Sequence, residues 1–215
     1  MIATNLNQVE TFIEHSLVES FKTPNVESFG DLINIHSIGI IGAGTMGGGI
    51  AMNFANVGLP VTIIETNETQ LAAGLERVRV NYQRSADRGR FPQKEVQQRM
   101  NLINGGTTLS DLSGCDLIIE AVFENIEIKK KIFSELDKIA KPNSILATNT
   151  SGLDINSIAS MTSRPEDVIG LHFFSPANVM KLLEIVQAKY TKPIIIRSCM
   201  EIAKKINKIP VLVGV

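Results

Sequence analysis

The sequence predicts an α/β fold, a doubly wound and mostly parallel sheet with helices on both faces. Short, wholly apolar runs alternate along the chain with longer segments that have helical spacing. Wholly apolar runs are typical of parallel strands buried on both faces, and the segments between them supply the helical crossovers. A glycine cluster directly after the first run, GAGTMGGG at 42–49, indicates a tight strand-to-helix turn.

The predicted strands are short apolar runs bounded by turn residues. They cover residues 37–42, 61–64, 116–122, 145–148, 168–173, 182–186 and 209–213. The predicted helices end at glycine and proline signals such as Gly58-Leu59-Pro60 and Pro142-Asn143. Four of them cover residues 45–57, 93–100, 127–140 and 154–161. A long helix follows the second strand, with Leu71, Leu75, Val78 and Tyr82 on one face, and a last helix has Ile195, Cys199, Ile202 and Ile206 on one face.

Two units are predicted, an N-terminal extension at 1–36 and a main domain at 37–215. The extension has a helical apolar spacing, with Val9, Phe12, Ile13, Leu17 and Phe21. Its acidic residues argue against a mitochondrial transit peptide, and it lacks the apolar centre of a secretory signal. With no targeting signal evident, the expected compartment is cytoplasmic in a bacterium and mitochondrial or peroxisomal in a eukaryote.

Composition excludes several classes of protein. The 215 residues carry a net charge of -1, so no strong field attracts nucleic acid or an anionic membrane. No apolar run reaches the roughly 18 residues that a membrane span requires. The two cysteines, Cys115 and Cys199, form no disulfide framework and indicate free thiols in a reducing compartment. No metal site is expected.

The glycine cluster matches the GxGxxG pattern of a Rossmann-like dinucleotide site. Gly42, Gly44 and Gly47 allow, in turn, the tight turn, the approach of a pyrophosphate, and close packing of helix on strand; Thr45 and Met46 lie between them. Glu65 ends the next strand, where a carboxylate accepts hydrogen bonds from ribose hydroxyls and repels a 2′-phosphate. The pattern therefore favours NAD over NADP, with a flavin site or a vestigial turn as alternatives.

Polar residues follow two further strands at the edge where open α/β sheets bind ligands. Glu120 and Glu124 lie at the end of the strand predicted at 116–122, and Lys129 follows at the start of the next helix. These residues are either part of a ligand site or a surface Glu–Lys pair. Asn149, Thr150 and Ser151 end another run, where they fit turn and helix-capping chemistry as well as ligand contact.

His172 and Glu184 lie twelve positions apart in an otherwise apolar stretch, GLHFFSPANVMKLLEIV. Histidine readily accepts a proton near neutral pH, and a carboxylate beside it fixes its tautomer and supports its charge. If strands 168–173 and 182–186 run side by side, the two side chains are in hydrogen-bonding range. Taken singly, each has a simpler interpretation, a buried core histidine and a solvated strand glutamate.

A basic run follows the second strand and has two interpretations. It is either a solvated helix face or a contact for the phosphates of a large anionic substrate such as coenzyme A. Its members are Arg77, Arg79, Arg84, Arg88 and Arg90.

From about Ser37 to Val215 the chain resembles the NAD-binding domain of the L-3-hydroxyacyl-CoA dehydrogenases. The segments GAGTMGGGIA, DLIIEAVFEN, LATNTSGLDI and GLHFFSPANVMKLLEIV match that family in order and spacing. Ser175-Pro176 in the last segment is closer to the multifunctional β-oxidation enzymes. The resemblance implies NAD as cofactor, an acyl-CoA substrate, and oxidation of 3-hydroxyacyl-CoA to 3-ketoacyl-CoA.

The resemblance also implies a role for each matched residue. His172 is the implied general base, Glu184 its orienting carboxylate, and Ser151 a contact to the substrate oxygen close to the nicotinamide. Glu65 binds the adenosine ribose, although the family often has Asp there, and Ser175 replaces the family's usual Asn. The remaining implied cofactor-lining residues are Val122, Phe123, Glu124 and Lys129.

Alternatives remain open beside that activity. One is the reductive direction, as in a 3-hydroxybutyryl-CoA dehydrogenase; another is an NAD-binding module without catalysis; a third is a 6-phosphogluconate-type or 2-hydroxyacid dehydrogenase. The family also has a helical C-terminal domain that closes the acyl-CoA cleft and provides a homodimer interface. The 215 residues show no counterpart, so this chain is expected to bind NAD and to turn over acyl-CoA poorly.

Overall fold

The computed structural model describes residues 31–215, which form one eight-stranded sheet with helices on both faces. The strand order is β3-β2-β1-β4-β5-β6-β7-β8. In chain order the strands are Ile38–Ile41 (β1), Val61–Ile64 (β2), Ile103–Gly106 (β3), Leu117–Glu120 (β4), Ile145–Thr148 (β5), Val168–Phe173 (β6), Leu182–Gln187 (β7) and Ile209–Gly214 (β8).

Six α-helices connect these strands. They are Thr45–Ala55 (α1), Glu68–Asp87 (α2), Lys94–Met100 (α3), Ile126–Ile139 (α4), Ile155–Ala159 (α5) and Pro193–Lys205 (α6), with short 3₁₀ turns at Leu109–Leu112 and Pro165–Asp167. None of the helices between residues 31 and 215 combines the length and apolarity that crossing a membrane requires.

The central strands are buried on both faces, which explains their continuous apolar sequences. Ile38, Leu117 and Ile118 are fully buried, and the side chains of β1, β4 and β5 divide between two apolar cores, one on each face of the sheet. Each fully buried side chain of this size contributes roughly 1.5–3 kcal/mol to folding. The predicted doubly wound α/β fold is confirmed.

One strand was not among the predicted elements, and one strand pair is antiparallel within the mostly parallel sheet. Strand β3, with the sequence INGG, was not predicted because it is short and largely polar or glycine; among the described residues it is an edge strand that pairs with β2 alone. Strand β7 runs antiparallel to β6, and β8 runs parallel to β7. The amphipathic helix predicted within 1–36 lies outside the described residues.

The topology brings the candidate residues to one end of the strands, which we call the ligand-binding edge. The parallel strands β1, β4, β5 and β6 all end at this edge, and the order reverses between β1 and β4. Because β7 and β8 run the opposite way, their first residues also lie there. Open α/β sheets bind ligands at such a switch point.

Candidate dinucleotide site and active site

The glycine turn after β1 has the geometry that a dinucleotide requires. Gly42 has a φ of 101°, and a Cβ there would lie 2.8 Å from the Ala121 carbonyl oxygen. A Cβ at Gly47 would collide with the Gly42 carbonyl oxygen. At Gly44, by contrast, a Cβ would meet no atom within 4 Å, so this part of the turn is open to a ligand.

The start of α1 is suited to an anion. Gly44 is its N-cap and makes no side-chain capping bond, and the first turn, which includes Thr45 and Met46, has no acidic residue. The backbone N–H groups at this end therefore have no side-chain acceptor from the cap, and they carry the positive end of the helix dipole. The residues present fit a pyrophosphate at this position.

Glu65 lies directly behind the glycine turn. One oxygen of its carboxylate accepts a hydrogen bond from Ala43 N at 3.0 Å, and the other accepts one from Thr66 N at 2.7 Å. Arg77, which the sequence did not single out for this role, donates from Nη2 to the Ala43 carbonyl at 2.8 Å. Two charged side chains thus hold the same residue of the turn in place.

The end of β4 contains a buried ion pair. Lys129 Nζ lies 2.7 Å and 2.9 Å from the two carboxylate oxygens of Glu120, and both residues are at most 1% exposed. Thr148 Oγ1 and Val122 N also donate to Glu120. The alternative of a surface Glu–Lys pair is therefore wrong: Lys129 is buried, its main partner is Glu120, and Glu124 lies at 3.5 Å.

Replacing Lys129 by methionine is expected to destabilise the fold by about 3–5 kcal/mol, because it leaves the Glu120 carboxylate buried and unpaired. Chemical denaturation measures the loss. Lys130→Met is the matched control, because Lys130 pairs with the exposed Glu127 at 3.7 Å; this replacement is expected to cost about 0–1 kcal/mol. Equal losses of unfolding free energy in the two variants would contradict the description of Lys129 as the buried partner of Glu120.

Glu124 joins the loops after β4 and β5. Its Oε1 accepts hydrogen bonds from Thr150 Oγ1, from Ser151 N at 3.0 Å and from Ser151 Oγ at 3.3 Å. Burial raises the pKa of the Glu124 carboxyl, but these hydrogen bonds and the charge of Lys129 outweigh that effect and lower the pKa overall. Beside it, Val122 is half-buried, whereas Phe123 is 85% exposed.

His172 and Glu184 lie directly opposite each other on the antiparallel strands β6 and β7. His172 Nδ1 is 2.8 Å from Glu184 Oε2, and the two side chains are 17% and 33% exposed. An ionised glutamate accepts a hydrogen bond from Nδ1–H, and in that tautomer Nε2 is left as an acceptor. The Phe174 ring packs against the imidazole at 4.5 Å between centroids, and Asn149 Oδ1 accepts from Phe173 N at 2.8 Å.

A cavity of about 370 Å³ opens at this pair. Its polar side chains are Thr150, Ser151, Asp154, His172 and Glu184, and its apolar lining includes Leu153, Ile155, Val186, Val213 and Val215. The structure therefore brings the predicted Ser151, His172 and Glu184 to one cavity. Ser175, also predicted, is exposed and precedes a cis peptide bond to Pro176, outside this lining.

A second, basic groove of about 480 Å³ runs along α2. Four arginines of the predicted basic run line it, Arg77, Arg84, Arg88 and Arg90, whereas Arg79 instead pairs with Glu76 at 3.5 Å. The groove extends from Gly44 and Thr45, at the start of α1, to Pro176, Asn178 and Val179. It thus connects the glycine turn with the segment that follows His172.

Comparison with known proteins agrees with this geometry. Residues 37–215 match the family described as 3-hydroxyacyl-CoA dehydrogenase, NAD binding domain. The chain belongs to this family. NAD is accordingly its cofactor, as the glycine turn and Glu65 predict.

Several relatives and solved structures are similar over most of the chain. The guinea pig (Cavia porcellus) peroxisomal bifunctional enzyme is 44% identical over 84% of the chain, which spans 25% of that enzyme. The 3-hydroxybutyryl-CoA dehydrogenase of Escherichia coli has a TM-score of 0.82 at 32% identity, with 84% and 38% of the two chains covered. The dehydrogenase part of C. elegans multifunctional enzyme 1 has a TM-score of 0.79 at 33% identity, with 89% and 45% covered.

Two buried polar side chains next to the basic groove of this dehydrogenase domain were not predicted from the sequence. Lys208, 5% exposed, donates from Nζ to the carbonyl oxygens of Ala177 and Met180, at 2.6 Å each. Asn53, also 5% exposed, donates from Nδ2 to Gly49 O and Ala177 O, at 3.0 Å each. A lysine directly before an apolar strand was the available signal for Lys208; nothing local distinguished Asn53.

Lys208 is expected to make stability depend on pH. Burial, with a smaller effect of Lys181, lowers its pKa from 10.5 to about 8. Between these values the unfolded chain holds a proton that the folded chain has released, so the stability of the wild type relative to Lys208→Met rises with pH across that range. Melting temperatures of the two proteins from pH 7 to about 10.5 measure this; parallel curves would contradict it.

Proposed function

We propose that the protein interconverts 3-hydroxyacyl-CoA and 3-ketoacyl-CoA with NAD. The observation that carries the proposal is the His172–Glu184 pair, 2.8 Å apart and on the wall of a cavity that Ser151 also lines. A histidine oriented by a carboxylate at the ligand-binding edge is suited to moving a proton to and from a hydroxyl. Family membership and similarity to the E. coli 3-hydroxybutyryl-CoA dehydrogenase support the same reaction class.

In this mechanism the chain's own residues bind the substrate and move a proton. His172 Nε2 accepts the proton of the substrate 3-hydroxyl while Glu184 holds Nδ1 and stabilises the imidazolium. Ser151 Oγ contacts the substrate oxygen. Glu124 holds the Ser151 hydroxyl in place by accepting a hydrogen bond from it. NAD, when bound, supplies the hydride acceptor. The reductive direction uses the same residues, with His172 as the acid.

The basic groove supports a CoA thioester as the substrate. Its four arginines form a concentrated positive surface in a protein of net charge -1, and phosphates are groups that arginine binds well. The groove ends at the segment that follows His172, so phosphates held there leave the acyl end of the molecule near the catalytic pair.

The cofactor contacts form part of the same proposal. Glu65 accepts hydrogen bonds from the adenosine ribose; Gly42, Gly44, Thr45, Met46 and Gly47 hold the pyrophosphate; and Val122, Phe123 and Glu124 line the remaining site. Lys129 acts there through Glu120 and Glu124, because its ammonium is buried against their carboxylates. Ser175 occupies the position at which the family usually has an asparagine that contacts the cofactor.

The chain spans about a quarter of the length of the curated relatives it matches. Activity, homodimer formation through a helical C-terminal domain, and compartment are therefore proposals for the complete protein. The guinea pig relative and the Arabidopsis multifunctional protein MFP2 are both named as peroxisomal, which favours that compartment if the source is a eukaryote.

An assay with acetoacetyl-CoA and NADH tests the proposal against the alternative of a cofactor-binding module. NADH is expected to raise the melting temperature of the 215-residue chain, because it binds the folded state alone. The complete protein is expected to oxidise NADH when acetoacetyl-CoA is added. Stabilisation by NADH without turnover by the complete protein would favour the binding module and contradict the proposed reaction.

A further inference from the structure

The reversal of the last two strands places a lysine at the ligand-binding edge. Lys208 directly precedes β8, whose start lies beside the ends of the parallel strands. Its backbone is fixed on both sides: Lys208 N donates to Ala203 O at 2.9 Å, and Ile209 N donates to Lys181 O at 2.8 Å. The side chain is therefore directed from a rigid position.

The Lys208 ammonium donates hydrogen bonds to two backbone carbonyls, and it lies 5.9 Å from the centre of the Phe173 ring. Both acceptors, Ala177 O and Met180 O, belong to one turn at residues 176–180, in which Val179 N and Met180 N donate to Pro176 O. Within residues 31–215 no carboxylate lies in ion-pair distance of this ammonium. A buried charge without a counter-ion lowers stability, so packing alone does not explain a lysine here.

A second buried donor holds the same turn from the other side. Asn53, on α1, donates to Ala177 O, the carbonyl that also accepts from Lys208. The turn also packs closely on α1, because a Cβ at Gly49 would lie 3.1 Å from the Ala177 Cβ. The 176–180 turn is thus fixed between α1 and the start of β8.

This turn connects the two parts of the proposed site. It begins four residues after His172, and Pro176, Asn178 and Val179 line the basic groove together with Arg77 and Arg84. We infer that Lys208 is a positioning residue, which acts through the carbonyls of Ala177 and Met180 to set the distance between the basic groove and His172. This inference rests on the proposed function and adds a residue that determines how the acyl-CoA is held.

The test is steady-state kinetics of the complete protein with Lys208 replaced by methionine. The KM for acetoacetyl-CoA is expected to rise about tenfold, because the groove wall moves relative to the catalytic pair. The kcat and the Kd for NADH are expected to stay within about twofold of wild type. Lys205→Met is the matched control, because Lys205 is exposed on the same segment and its loss removes the same charge.

A purely structural role would give different results. A lowered melting temperature with an unchanged KM would overturn the inference. A loss of NADH affinity as large as the rise in KM would also overturn it. Asn53→Ala is expected to raise the same KM, and the double variant to raise it by less than the product of the single effects, because both donors act on Ala177 O. If Lys208→Met does not fold, Lys208→Gln is measured against the same expectations. A wild type without acetoacetyl-CoA turnover would instead overturn the proposed function itself.

Discussion

Replacement of His172 by alanine is expected to lower kcat of the complete protein by about 10²–10⁴-fold while NADH binding is retained. The imidazole is the proposed proton acceptor, and its Nδ1 lies 2.8 Å from the Glu184 carboxylate. Glu184→Gln is expected to lower kcat within the same range, since the amide holds the ring without stabilising its charge. Steady-state rates with acetoacetyl-CoA, together with NADH titration by fluorescence, measure the two effects separately.

His36→Ala is the matched control for this pair. His36 is exposed and precedes β1, at the end of the sheet opposite to the ligand-binding edge. Its replacement is expected to leave kcat and NADH affinity unchanged. Near-normal turnover in His172→Ala would remove His172 as the base, and a parallel loss of NADH affinity would show that the residue acts on the cofactor instead.

Replacement of Gly44 by valine is expected to weaken NADH binding by about 100-fold with little change in stability. The residue has φ -69° and ψ -171°, an extended conformation that valine adopts readily, and a Cβ there would meet no protein atom within 4 Å. The added side chain instead occupies the space through which the pyrophosphate approaches. Isothermal titration with NADH and the melting temperature without cofactor measure the two properties.

Gly114→Val serves as the matched control for Gly44. A Cβ at Gly114 also meets nothing within 4 Å, but the residue precedes β4 and lies away from the glycine turn. The control is expected to bind NADH like the wild type. Unchanged NADH affinity in Gly44→Val would show that the pyrophosphate does not pass over this residue.

Much of the site could be predicted because its signals are local or periodic. GAGTMG follows an apolar run and precedes a helical one, so the turn, its three glycines and Glu65 were predicted from adjacent residues. The His172–Glu184 contact was predicted from two neighbouring apolar runs, and the antiparallel register confirms that the two residues are opposite each other. Strand β3 was missed because the local sequence INGG has no apolar pattern.

The sequence by itself determined the doubly wound fold, the NAD preference and the chemical identity of the proposed catalytic pair, because apolar spacing and short motifs encode them. Only the tertiary structure decided that Lys129 is buried on Glu120, that Arg77 and Glu65 hold Ala43, and that Lys208 binds a turn 31 residues away. These contacts depend on strand order and on the reversal at β7. Such long-range geometry arises from packing the whole sheet, and no local pattern of residues specifies it.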